Sequence, residues 1–241
     1  MLKTFSLSDV GKKRTSNQDF VFTTEEPVGN LPNLFALADG MGGYNGGEFA
    51  SSETVSAIRK YIESSMDTTP RKLFDEAIHA ANKLIRKEAR KNPEFDKMGT
   101  TIVLASVIGD CLQVANVGDS RLYVIGEDIR QVTVDHSYVE EMIKVGSLSR
   151  EGAKSHPQKN IITRAVGAAD DISPDFFTIK LKKDEYVLMC SDGLTNMIED
   201  EEILMIIKGE RDVAGMAEKL IETANNNGGK DNISVIIIKQ C

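Results

Sequence analysis

The chain has 241 residues, 41% of them hydrophobic and 27% charged, which suits a globular protein with a core of ordinary size and excludes a disordered or low-complexity one. Its 37 acidic and 29 basic residues leave a net charge of −8, which argues against nucleic acid as the main partner. The opening Met1-Leu2-Lys3-Thr4-Phe5 lacks the apolar centre of a secretory signal, and the longest aliphatic run, Val235 to Ile238, is far too short to span a bilayer, so the expectation is a cytoplasmic protein with no membrane partner.

In chain order, the first apolar run is Leu34 to Ala38, which reads as a buried strand. A helix is expected from near Glu48, carrying Ala50, Ala57, Ile58, Tyr61 and Ile62. A second starts at Thr69-Pro70, a cap followed by proline at the first helical position, with Leu73, Ala77, Ala81, Leu84 and Ile85 on one side. Short apolar runs at 101–107, 112–117, 122–125 and 129–132, separated by Gly109-Asp110, Gly118-Asp119-Ser120 and Gly126-Glu127-Asp128, predict an antiparallel meander. After a polar stretch, further strands are expected at Tyr186 to Cys190 and Ile233 to Ile238. Between these two strands lies a helix with Val213, Met216, Ala217, Leu220, Ile221 and Ala224 on one face, ended by Gly228.

Helices grouped early and strands grouped in meanders give an α+β class, with helices outside antiparallel sheets. No linker composition divides the chain, so residues 1–241 are read as one domain. Cys111 and Cys190 lie in strand-like stretches and read as buried thiols, while His79, His136 and His156 have no zinc-site spacing.

Four aspartates share one local setting, beside an apolar run and mostly beside glycine: Asp39, Asp119, Asp192 and Asp231. Taken singly, each is more often a turn residue than a ligand. Together they suggest carboxylates gathered at strand ends, which repel one another unless a cation joins them. Oxygen-only ligands select hard ions, Mg²⁺ or Mn²⁺.

These aspartates sit in a longer ordered set: Arg14-Thr15-Ser16-Asn17-Gln18-Asp19, Asp39-Gly40-Met41-Gly42-Gly43, Gly99-Thr100-Thr101, Gly118-Asp119-Ser120-Arg121, Asp135-His136-Ser137, Ile162-Thr163-Arg164-Ala165-Val166-Gly167, Ser191-Asp192-Gly193-Leu194 and Asp231-Asn232-Ile233-Ser234. From about Asp9 to Ile238 the chain thereby resembles the type 2C (PPM) family of metal-dependent protein serine/threonine phosphatases, in its bacterial single-domain form.

The resemblance implies a sandwich of two antiparallel β-sheets flanked by pairs of α-helices, with a metal cleft at one edge. It also implies roles. Asp39 would bridge two core ions, the Gly40 carbonyl would bind one, Asp192 and Asp231 would hold the other, and Asp19 would complete the site. Asp119, with Asp192, resembles a pair holding a third, weaker ion. Arg14 would grip the substrate phosphate, as a planar guanidinium suits a tetrahedral anion. Two ions would activate a water to attack phosphorus without a phosphoenzyme. The polar stretch corresponds to a mobile flap at about 144–166. Partners would be phosphorylated proteins and a cognate bacterial Ser/Thr kinase, and the protein a monomer.

Two departures stand out. Gln18 precedes Asp19 where the family usually has Glu, and Met41 and Tyr44 stand where members commonly place histidine. Tyr44 and His136 are therefore the candidate proton donors. No cysteine has an arginine six residues on, and no phosphate-binding Walker loop is present, which excludes those two phosphate chemistries.

Overall fold

The computed structural model describes residues 2–95 and 97–240, with side chains throughout these except at 43–45. The elements are β1 (Leu2–Asp9), β2 (Asp19–Thr24), β3 (Leu34–Met41), α1 (Gly43–Ser64), α2 (Pro70–Lys91), β4 (Gly99–Thr100), β5 (Ile102–Ile108), β6 (Cys111–Val117), β7 (Arg121–Ile125), β8 (Ile129–Gln131), α3 (Tyr138–Lys144), α4 (Arg150–Lys154), β9 (Asp175–Lys180), β10 (Tyr186–Cys190), α5 (Asp192–Thr195), α6 (Asp200–Gly209), α7 (Val213–Asn226) and β11 (Ile233–Gln240).

The strands form two antiparallel sheets. One has the order β1-β11-β10-β7-β8, the other β2-β3-β5-β6-β9, with β4 pairing to β3. Side-chain alternation along each central strand explains the layers. In β3, Leu34, Ala36 and Ala38 face the helix pair α1 and α2, while Phe35 and Leu37 face the opposite sheet. In β11, Val235 and Ile237 pack on α5, α6 and α7, while Ile236 and Ile238 meet Phe35 and Leu37 between the sheets. A strand covered on both faces cannot alternate apolar with polar, which is why these stretches read as unbroken apolar runs. The α+β sandwich flanked by helix pairs is thus what the chain adopts. No helix among the described residues is long and apolar enough to cross a membrane.

Four local expectations need correction. The four runs between 101 and 132 do not make one meander: β5 pairs with β6 in one sheet and β7 with β8 in the other, because the chain crosses between the sheets at Gly118-Asp119-Ser120. Helix α1 starts at Gly43, five residues before Glu48, because the glycines there serve close packing: a Cβ on Gly40 would lie 2.0 Å from the Gly47 carbonyl oxygen, and one on Gly47 would lie 2.8 Å from the Gln18 side chain. Thr69 occupies the cap position of α2 with extended backbone, but its hydroxyl makes no cap hydrogen bond. Cys190 is buried, whereas Cys111 is only partly so and its thiol lies 3.5 Å from Asp110 Oδ1.

Candidate metal and phosphate site

At one edge of the sandwich the strands deliver five aspartates. Asp19 opens β2 and lies directly across from Asp39 in the β2–β3 register. Asp119 sits in the β6–β7 turn, Asp192 just past β10, and Asp231 just before β11. Asp39, Gly40, Asp119, Asp192 and Asp231 line one cleft of about 620 Å³ together with Arg14 and Asn160. Asp19 lies behind them, buried.

The strand ends are locked in place by hydroxyls and amides. The Asp39 N–H donates to Thr101 Oγ1 at 2.9 Å, and the Asp39 carbonyl accepts from Thr100 Oγ1 at 2.8 Å and from the Thr101 N–H at 2.9 Å. Asn232 Oδ1 accepts the Gln18 N–H at 2.9 Å, and its Nδ2 donates to the carbonyls of Val10 and Ser16, which staples the loop bearing Arg14 to the start of β11. Gly193 is a close-approach glycine, since a Cβ there would lie 1.9 Å from the Asn232 carbonyl oxygen.

Electrostatically the cleft is under strain. Burial pushes the Asp19 and Asp192 carboxyls up to about 6, and the Asp119 carboxyl up to about 8, with neighbouring carboxylates adding to each. Asp39 is held well above the ordinary carboxylate range, first by desolvation and then by the charges of Asp19, Asp192, Asp119 and Asp231. Among the described residues, no three His, Cys, Asp or Glu side chains are already drawn into a metal cage. Like-charge repulsion and competing partners account for that spread: Asp231 Oδ2 accepts from Arg14 Nη2 at 2.7 Å, Asp192 Oδ2 from Asn196 at 3.0 Å, and Asp19 Oδ2 from the Ser191 hydroxyl at 2.7 Å.

A divalent cation nevertheless fits this donor set. Among the described residues the Asp19 Oδ1 atom is buried without a hydrogen-bond partner, which is costly for a carboxylate oxygen unless something positive meets it. All the donors are hard oxygens, with neither thiol nor imidazole among them.

The structure separates the remaining candidates. Arg14 lies at the cleft, about half exposed. His136 does not line it: the ring is fully buried, Nδ1 accepts the Gly118 N–H at 3.1 Å, and Nε2 lies 3.1 Å from Asp175 Oδ2. With Nδ1 an acceptor, the proton sits on Nε2 and points at Asp175, so His136 supports the Gly118-Asp119 turn and has no route to a leaving group. The Tyr44 side chain lies outside the described residues. Arg121, beside Asp119, is consumed by Asp135, to which its Nε and Nη2 donate at 2.7–3.1 Å. Thr101, Ser191, Asn196 and Asn232 are supporting residues that sequence reasoning passed over; each lies within or beside a quoted motif, but nothing in the sequence says which hydroxyl or amide meets which carboxylate.

Comparison with known proteins decides the family. The family model described as protein phosphatase 2C matches residues 11–236. The chain belongs to this family. It is 40% identical to protein phosphatase PhpP of Streptococcus pneumoniae over 236 residues, covering 96% of this chain and 95% of that one. It superposes on the serine/threonine phosphatase of S. agalactiae with a TM-score of 0.92 at 35% identity, covering 99% of both chains. It also superposes on the catalytic domain of the serine threonine protein phosphatase PstP in complex with two manganese ions, with a TM-score of 0.86 at 30% identity, covering 99% of this chain and 97% of that one. As a protein phosphatase 2C member the chain is a phosphatase and an enzyme.

Proposed function

We propose that the Asp39 cleft is the catalytic centre and that it hydrolyses phosphoserine and phosphothreonine in proteins. The observation that carries this reading is the convergence of four aspartates and Arg14 on one cleft, with a fifth, Asp19, buried behind them. Four cleft carboxylates against a single guanidinium would repel a phosphate dianion, so substrate enters only once added cations reverse the local charge. Asp39, the Gly40 carbonyl, Asp192 and Asp231, with Asp19 behind, would hold two such ions, and Asp119 with Asp192 a third, weaker one. Oxygen donors favour Mn²⁺ or Mg²⁺. Bound there, the ions supply Lewis-acid charge neutralisation and acidify a water at neutral pH.

The chain's own groups then bind and orient. Arg14 turns its fork to the phosphate oxygens, a charge-assisted contact that fixes the phosphorus over the carboxylates. Asp39 and Asp19, side by side across β2 and β3, set the floor. With His136 sealed away, water in the cleft protonates the departing serine or threonine oxygen and Tyr44 would line the entrance, the side-chain alternative being that Tyr44 itself donates. Residues 1–241 work as one catalytic domain, and the segment 144–166, which carries α4, serves as a flap beside the cleft. Lys154 of α4 pairs with Glu199, and Arg150 lies 3.7 Å from Glu140. The partners are phosphorylated proteins in the cytoplasm, with a cognate Ser/Thr kinase supplying them, and the enzyme acts as a monomer without nucleic acid.

Phosphate release from matched phosphoserine, phosphothreonine and phosphotyrosine peptides with Mn²⁺ tests this. Turnover of the first two well above the third is expected. Equal cleavage of all three, or of phosphotyrosine alone, would overturn it.

A further inference from the structure

We infer that the Ser191 hydroxyl is a positioning group that fixes the Asp19 carboxylate and decides which of its oxygens is left for an ion. The inference rests on the metal-site reading above and adds a residue outside the proposed ligand set.

Ser191 is wholly buried and follows directly on β10. It is pinned to β11 from two sides: its N–H donates to the Ser234 carbonyl at 3.1 Å, and its Oγ accepts the Ser234 N–H at 3.0 Å. Because a backbone amide already fills one acceptor position of the hydroxyl, the hydroxyl proton must go elsewhere. Two acceptors lie near. Asp19 Oδ2 is 2.7 Å away and the Asn232 carbonyl oxygen 3.5 Å away, and a single proton takes the shorter contact to the charged group. The bond joins β10 to β2 across 172 residues of sequence.

The other carboxylate oxygen tells the rest. Asp19 Oδ1 is buried and has no partner among the described atoms. A free carboxylate can swing so that either oxygen faces either way, but one tethered by Oδ2 cannot, so Oδ1 is presented in a fixed direction. Asp19 lies opposite Asp39 in the strand register, so the presented oxygen belongs to the carboxylate directly across from the proposed bridging residue. The Ser234 hydroxyl also faces Asp19, but it shares a hydrogen bond of 2.7 Å with Ser8 Oγ, which in turn accepts from Asn17 Nδ2. The serines thus form a buried chain behind the carboxylate; the Ser234 hydroxyl also hydrogen-bonds it, and Ser191 makes the 2.7 Å contact that holds Oδ2. Groups behind a ligand commonly change metal affinity by about 10–100-fold when removed.

The test is Mn²⁺ binding by the full chain without substrate, measured as the electron paramagnetic resonance signal of free Mn²⁺, in the parent, Ser191→Ala and Ser191→Cys. The alanine variant should bind Mn²⁺ roughly 10–100-fold more weakly, with p-nitrophenyl phosphate turnover recovering at saturating Mn²⁺. A folded alanine variant with parental Mn²⁺ affinity, whether or not its melting temperature has dropped, would make Ser191 purely structural and overturn the inference. Should alanine prevent folding, the cysteine variant decides, since its thiol has nearly the same shape but is a weak donor: weakened binding supports the assignment and parental binding refutes it. A parent chain that binds no Mn²⁺ would instead refute the metal-site reading itself.

Discussion

Arg14 Nη2 donates to Asp231 Oδ2 at 2.7 Å, so the guanidinium read as the phosphate grip is held by a carboxylate read as a metal ligand. On the proposed reading, an ion held by Asp231 Oδ2 would compete with Arg14 for that oxygen and so release the guanidinium toward the phosphate. Arg14→Ala should lower kcat/KM by roughly one to two orders of magnitude through loss of a charge-assisted contact, and weaken inhibition by inorganic phosphate. Its Mn²⁺ affinity should stay equal or rise. A collapse of Mn²⁺ affinity with phosphate inhibition unchanged would show Arg14 to be structural.

The Asp39 carboxyl is raised well above its ordinary range by burial and by four neighbouring carboxylates. Asp39→Asn should cost about two or more orders of magnitude in turnover, the largest loss at any single cleft position. In chelator the same variant should melt higher than the parent, because a buried repulsion is gone, by about 2–4 °C for each kcal/mol relieved. Near-parental turnover, or a lower melting temperature in chelator, would contradict the bridging assignment.

Three helices were legible in the sequence from their period and the central strands as unbroken apolar runs, whereas β1, β2, β9, α3, α4 and α6 were not read from it and the sandwich layers came from the family resemblance. The runs at 186–190 and 233–238 match β10 and most of β11, and the face Met216, Ala217, Leu220, Ile221 and Ala224 is the buried face of α7. The start of α1 was not legible, since the run of glycines favours a turn locally, whereas Gly47 is required by its close approach to Gly40 and Gln18, contacts that no local pattern shows. At the site, aspartates beside glycines could be read as ligands from their repeated setting. The Arg14–Asp231 pair spans 217 residues and the Ser191–Asp19 bond 172, and no local pattern encodes contacts of that kind. Nor does an Asp-His-Ser tripeptide reveal that its histidine is sealed against Gly118 and Asp175.

In chelator, stability should fall as pH rises from 6.5 to 8. Burial lifts the Asp19 and Asp192 carboxyls to about 6 and that of Asp119 to about 8, and Asp39 is also held well above the ordinary 3.8, so the folded chain holds more protons than the unfolded one. Stability from such groups is fully present below 3.8 and is lost as pH rises through the folded values. His136 acts in the opposite sense, since burial lowers its pKa from 6.5, but its contribution is lost only as pH falls below that value. Saturating Mn²⁺ should abolish the slope. Urea midpoints at the two pH values, with EDTA and with Mn²⁺, check this, and a higher midpoint at pH 8 in EDTA would contradict it.

Asp119 is buried at the turn that His136 clasps, and its carboxyl is raised by burial and by Asp192. Asp119→Ala should leave the two tighter ions bound, weaken a third, and reduce turnover of phosphoprotein substrates. An unchanged Mn²⁺ titration together with an unchanged rate would leave Asp119 as a turn residue only.

The central claim is that the carboxylate cleft hydrolyses phosphate esters only when divalent ions fill it. The most direct measurement is phosphate release from a phosphothreonine peptide by the exhaustively chelated protein, before and after titration with Mn²⁺ or Mg²⁺. The account predicts no release above background in the chelated protein and full recovery on adding either ion. Undiminished hydrolysis after complete metal removal would contradict it.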